Sequence, residues 1–205
     1  DLLGGEDPYS ASKACAELIF KSYFQSFLKK NKYIKIGVAR AGNVIGGGDW
    51  SNYRLVPDCF KSWAKKNTVT IRNPKSTRPW QHVLEVLYGY QLFALRLGKN
   101  NKLNGEAFNF GPNSSQDKSV INLVQEIKKN LSDFKWKVKK SKKFYESNLL
   151  KLNSNKARKK LNWSNKLSFA QTITITTRWY QDFYKKKFNI AKVSSSQIRD
   201  YEKKL

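Results

Sequence analysis

The apolar positions of this chain change period along its length, and each change marks an element. From Pro8 to Lys30, residues Cys15, Leu18, Ile19, Phe20, Tyr23, Phe24, Phe27 and Leu28 recur at helical spacing but wrap more than one side. A helix of that kind needs partners on two faces, such as a sheet and another subunit. Ile34, Ile36 and Val38 then alternate with Lys35 and Gly37, which predicts a strand over 33–40. Helical spacing returns over 55–66, 83–97, 120–131, 154–161 and 168–187. Short apolar runs predict strands over 69–71, 107–110 and 135–138, with another extended piece over 149–152. The run Thr172-Ile-Thr-Ile-Thr176 has poor helix propensity for its place in the last long helix. From Ala191 the chain reads as a frayed, charged helix. A helix followed by a strand is the second half of a βαβ unit, so the pattern predicts an α/β fold with a parallel sheet.

The breaks between elements carry the chemistry. Residues 1–8 form a loop broken by Gly4-Gly5 and Asp7-Pro8. Asp7 is a good N-cap and Pro8 suits the first helical position, so Tyr9 enters in the first turn. Lys13, four residues on, shares its face. The helix dipole and the ammonium both favour phenolate, which turns a side chain of reference pKa about 10 toward use as a base near neutral pH. By itself, Y-x-x-x-K is common on exposed helices. The strand over 33–40 empties into Ala41-Gly-Asn-Val-Ile-Gly-Gly-Gly-Asp-Trp50. Ligands of open α/β sheets bind beyond the carboxyl ends of strands. Three glycines allow close backbone approach to a phosphate, but a flexible turn has the same composition, and both readings stand on this loop alone. Arg72-Asn-Pro-Lys-Ser-Thr-Arg-Pro-Trp80 reads as a rigid basic loop whose arginines suit bidentate phosphate binding. The lone histidine, His82, reads as a packing residue. One histidine and two distant cysteines exclude an ordinary zinc site, so no metal is expected.

Composition adjusts this picture in three ways. The 205 residues, 40% hydrophobic and 14% aromatic, suffice for one folded domain with a real core. No apolar run is long enough to span a bilayer, and Cys15 and Cys59 read as buried free thiols of a cytoplasmic protein. The net charge of +25 is uneven: residues 1–117 carry 17 Lys+Arg against 9 Asp+Glu, and residues 118–205 carry 23 against 6. That surplus would attract nucleic acid or an acidic polymer. It consists mostly of lysines scattered on polar helix faces among many asparagines, so no specific nucleic-acid role is expected. The chain starts at Asp1 and has no methionine, which suggests a piece of a longer reading frame.

Taken together the motifs point to a family. Tyr9-Ser-Ala-Ser-Lys13-Ala, followed by a strand ending Ala39-Arg40-Ala-Gly-Asn43-Val-Ile-Gly46, resembles the second half of an extended short-chain dehydrogenase/reductase. Within that superfamily, Gly42–Trp50, Arg54-Leu-Val-Pro-Asp58 and Arg72–Val83 resemble the CDP-glucose 4,6-dehydratases, a likeness that continues through Leu150–Ala157 to Trp179-Tyr180. The resemblance implies the C-terminal part of a Rossmann-type parallel-sheet domain plus a small α/β nucleotide-sugar-binding domain. The implied division is 1–50 for the Rossmann part with the Tyr9–Lys13 helix, 51–190 mainly for the sugar-nucleotide part, and 191–205 for a charged tail. It implies NAD as cofactor, CDP-glucose as substrate, and a homodimer in the full-length form, built through the helix over 8–30.

The resemblance also implies roles. Tyr9 matches the base for the C4 hydroxyl, and Lys13 matches the lysine that lowers its pKa and bonds the nicotinamide ribose. Arg40 matches a position on the cofactor side, Asn43 a contact to the substrate diphosphate, and Arg54, Arg72, Arg78 and Asn109 positions around the nucleotide. His82 has a supporting role there. The family's glycine-rich cofactor turn and its elimination acid and base precede the tyrosine motif and are absent here, so the chain alone is expected to be inactive and poorly soluble. Tyr53 replaces a commonly acidic residue, a change expected to be tolerated. Three alternatives remain open: an epimerase of the same fold, a basic polyanion-binding module, or a non-catalytic remnant paired with a homologue.

Overall fold

The computed structural model describes residues 7–113, 118–139, 152–186 and 188–205. Helix α1 (Pro8–Tyr23) begins as its sequence requires, with the Asp7 carboxylate accepting from the Ser10 amide at 2.9 Å. It runs into a π-helical turn, Phe24–Leu28. Strand β1 (Val38–Ala41) follows, then β2 (Asn43–Ile45), α2 (Leu55–Ala64) and β3 (Val69–Ile71). Next come β4 (Thr77–Arg78), β5 (Trp80–His82), α3 (Val83–Lys99) and β6 (Ala107–Phe110). The chain closes with β7 (Lys118–Ser119), α4 (Val120–Asn130), β8 (Trp136–Val138), α5 (Asn155–Leu161), α6 (Phe169–Lys185) and α7 (Ile190–Glu202).

The strands pair across long sequence distances. β1 lies parallel to β6 with Arg40 opposite Asn109, β2 parallel to β5 with Ile45 opposite His82, and β3 parallel to β8. β4 and β7 form a short antiparallel pair. The fold is therefore α/β with parallel pairing, as the alternating pattern predicts. Two apolar clusters hold it. One joins α2, β3, α4 and α6 through Phe60, Ile71, Leu123, Ile127, Ile173 and Tyr180. The other joins α3, β6 and α5 through Phe93, Phe108, Phe110, Leu161 and Trp163.

Several expectations change. The strand predicted over 33–40 starts only at Val38, because β6 begins at Ala107 and the preceding residues bond a turn instead. There the Ile36 amide donates to Asn104 Oδ1 at 2.9 Å, and the Ile36 carbonyl accepts from the Gly105 amide at 2.8 Å. The basic loop over 72–80 contains β4 and the start of β5. Cys59 is buried but Cys15 is exposed, since α1 has no buried residue. The extended piece expected over 149–152 falls almost wholly outside the described residues.

The C-terminal segment is not a frayed tail. Asn189 caps α7 by accepting from the Ala191 and Lys192 amides, and Tyr201 is buried. α6 keeps its helical form despite its threonines because a Ser168–Gln171 capping box starts it and Thr172, Ile173, Thr176 and Thr177 are all buried. Burial outweighs the tenths of a kcal/mol per residue at stake in propensity.

Candidate functional site

Of the residues singled out above, Arg40 and Asn109 face each other across β1 and β6, and Arg40 reaches α1, the helix that carries Tyr9 and Lys13. Tyr9 and Lys13 occupy adjacent turns of α1, with Lys13 Nζ 5.5 Å from the centre of the Tyr9 ring. Tyr9 is 71% exposed. Both side chains are exposed.

Arg40, at the third position of β1, pairs with Glu17 one turn beyond Lys13 on α1. Its Nε and Nη2 donate to the two Glu17 carboxylate oxygens in a bidentate ion pair, and its Nη1 donates to Asn109 Oδ1 at 3.2 Å. The Glu17 bond keeps the guanidinium charged and pushes its pKa above the ordinary value. Asn109 Nδ2 in turn donates to the Asn153 carbonyl at 3.1 Å. Glu17 escapes a motif-based reading. Its only sequence signal is the second four-residue step, Tyr9–Lys13–Glu17.

The glycine loop leaving β2 is fixed from behind. A Cβ on Gly47 would lie 2.1 Å from ring atoms of Trp179, and Gly48 has φ of 82°, which disfavours side chains. Trp179 is itself held, its Nε1 donating to Ser194 Oγ at 2.9 Å, and Tyr180 donates its hydroxyl to the Asp49 carbonyl at 2.7 Å. Trp50 closes the loop against Tyr180 and Phe183. The loop is thus a packed turn, which the three glycines alone do not reveal. Beyond it Tyr53 adopts φ of 62°, and Arg54, largely exposed, precedes α2 and faces Asp49 at 3.8 Å.

His82 is 2% exposed and caps α3, its Nδ1 accepting from the Leu84 amide at 3.3 Å. Acceptance at Nδ1 puts the proton on Nε2, which is buried without a partner among the described residues. Burial pushes the His82 pKa down to about 4, so the ring is neutral at physiological pH. The ring packs at the start of α3, with one donor unmet among the described residues. Three residues on, the buried Glu85 accepts from the Lys166 and Leu167 amides at 2.7 and 2.6 Å and from the Tyr201 hydroxyl at 2.9 Å. Burial pushes its pKa up against these bonds.

The remaining candidates lie to one side. Asn43 is half-buried opposite Trp80 in the β2–β5 pair. Arg78 is buried in β4 opposite Lys118, and its Nη1 donates to the Thr77 carbonyl at 2.9 Å. Arg72 is exposed just past β3, on the side of Asp58. The structure therefore brings Arg40 and Asn109 together with the Tyr9–Lys13 helix. Arg72 and Arg78 sit beside the separate β3–β4 region. Among the described residues no three His, Cys, Asp or Glu side chains converge.

This arrangement is that of a Rossmann-type α/β protein. Solved structures share it: an NAD complex of dTDP-glucose 4,6-dehydratase from Bacillus anthracis superposes with a TM-score of 0.69 at 22% identity, over 88% of this chain and 54% of that one. An epimerase from Methanothermobacter thermautotrophicus superposes with a TM-score of 0.75 at 22% identity, over 93% and 54%. The chain belongs to the GDP-mannose 4,6 dehydratase family, whose model matches residues 2–176. It is 38% identical over 204 residues to the CDP-glucose 4,6-dehydratase of Salmonella typhimurium, covering 97% of this chain but 56% of that protein.

Proposed function

We propose that the protein represented by this chain is an NAD-dependent hydro-lyase that converts CDP-glucose to CDP-4-keto-6-deoxyglucose. The observation that carries this reading is the 38% identity to a CDP-glucose 4,6-dehydratase along nearly the whole chain. The dehydratase family match supports the reaction class. The geometry is compatible: a phenol and an ammonium stand open on adjacent turns, where they can hold a ribose diol and a substrate alcohol. Tyr9 and Lys13 would hold the nicotinamide ribose of NAD, which when bound would accept a hydride from C4 and give it back at C6. Tyr9 removes the C4 hydroxyl proton, and Lys13 holds the ribose. Water leaves across C5 and C6, so the product differs from the substrate by one water. Asn43, Arg54, Arg72, Arg78 and Asn109 are assigned to the nucleotide and its diphosphate, with His82 as support behind the loop.

The chain spans about half the length of the relatives it matches, and activity is proposed for the longer protein. A homodimer is proposed through α1 and the turn after it, where Leu18, Ile19, Tyr23 and Phe27 are 54–68% exposed. No helix among the described residues is long and apolar enough to cross a membrane, and two unbonded cysteines suit a cytoplasmic location.

The test incubates CDP-glucose and NAD+ with this chain, and with the chain supplied with the upstream half of the Salmonella relative. Loss of one water from the sugar nucleotide with the completed protein is the expected result, read by mass spectrometry. An unchanged mass with a changed sugar configuration would assign an epimerase instead.

A further inference from the structure

We infer that Glu17 and Arg40 are a positioning pair that sets the catalytic helix against the sheet, an inference that rests on the dehydratase reading of Tyr9 and Lys13. Within this chain α1 buries none of its own residues, so its placement over β1 rests on directional contacts to the sheet. A phenol presented with sub-ångström accuracy needs a directional contact between its helix and the sheet. The Glu17–Arg40 pair has that character. A guanidinium and a carboxylate meeting through two parallel bonds constrain both distance and plane.

The anchor end of the pair is rigid. Arg40 lies within β1 in register with Asn109 of β6, and the same guanidinium donates to that asparagine across the strand pair. Asn109 is braced in turn by the Asn153 carbonyl. The helix end is well placed, because Tyr9, Lys13 and Glu17 follow one another at four-residue steps and share a stripe of α1. A shift at Glu17 therefore moves Lys13 and Tyr9 as one body. Three of the five N–H donors of Arg40 are committed to these two partners. That assignment makes Arg40 a positioning residue in place of the cofactor contact its position in the motif suggests. The pair is half-exposed, with side-chain accessibilities of 38% and 22%, so its role is geometric and its contribution to overall stability is small.

A mutant cycle with E17Q, R40Q and E17Q/R40Q tests the pair on two independent readouts. On this chain itself, amide hydrogen exchange over 9–20 is expected to quicken about tenfold in each single variant and no further in the double, with α4 amides unchanged. In the completed protein, kcat is expected to fall on the order of 10-fold to 100-fold in all three variants, with KM for NAD+ and CDP-glucose within about twofold. A rise in the KM for NAD+ in R40Q but not in E17Q would assign Arg40 to the cofactor and overturn the inference. Additive effects in the double variant would overturn it too, as would unchanged kcat per folded molecule. If the completed protein proves not to be a dehydratase, the exchange measurement still decides the pair, so the two failures are distinct.

Discussion

His82 gives this fold a dependence on pH below neutrality. Its ring is neutral and buried, with a pKa near 4 against an ordinary 6.5, because charging it would require burying a cation. A base with a depressed folded-state pKa contributes stability that is present above pH 6.5 and lost as pH falls toward 4, since the unfolded chain takes up the proton first. Asn at this position keeps an N-cap acceptor for the Leu84 amide but does not titrate. Urea unfolding of the wild type and H82N is expected to show the wild type losing about 2 kcal/mol relative to H82N between pH 7 and pH 4.5. An equal difference at both pH values would show that His82 is not held neutral. The motif pointed to His82, but only burial sets its charge state.

At the scale of elements, the glycine loop and α6 are fitted to each other. Gly47 leaves no room for a Cβ against Trp179, and that ring is stacked on Phe183 and bonded to Ser194, so it cannot move aside cheaply. Gly47→Ala is expected to destabilise the fold by about 1–3 kcal/mol through overpacking. Adding Trp179→Leu should recover part of that loss, as a thermal unfolding series on the two single variants and the double would show. Full additivity would mean that the two residues do not touch. α7 belongs to the same device, since Ser194 holds Trp179 and Tyr201 reaches Glu85 at the start of α3. Charge density made that segment read as a tail, yet one buried tyrosine and one capping asparagine dock it.

On the scale of the whole molecule, the apolar surface is unevenly covered. The two cores enclose the strands and α2 to α6, while Leu18, Ile19, Tyr23 and Phe27 stand exposed along α1 and the turn after it. Such a stripe promotes association, and the chain is expected to self-associate in solution. Ile19→Glu with Phe27→Gln should raise the monomer fraction in light scattering and leave the unfolding free energy within about 0.5 kcal/mol, because neither side chain is buried. A monomeric wild type with a high, cooperative thermal transition would sink this expectation. The net charge of +25 acts at the same scale, and among the described residues some of its lysines stand in local pairs such as Lys129–Glu126 and Lys203–Asp200.

The sequence by itself determined what depends on near neighbours. Asp7-Pro8 starts α1, Ser119 and Ser168 start α4 and α6, and the four-residue step puts Tyr9 and Lys13 on one face. Those are consequences of helical spacing and capping, which need no distant partner. The tertiary structure decided what depends on residues far apart in the chain. The pairing of Arg40 with Asn109 comes from strand register across 69 positions, and the seat of Gly47 from a tryptophan in a helix at the other end of the chain. The helical state of a threonine-rich run is likewise set by burial that its own propensity opposes. Contacts between distant segments follow from packing the whole chain at once, and no local pattern encodes them.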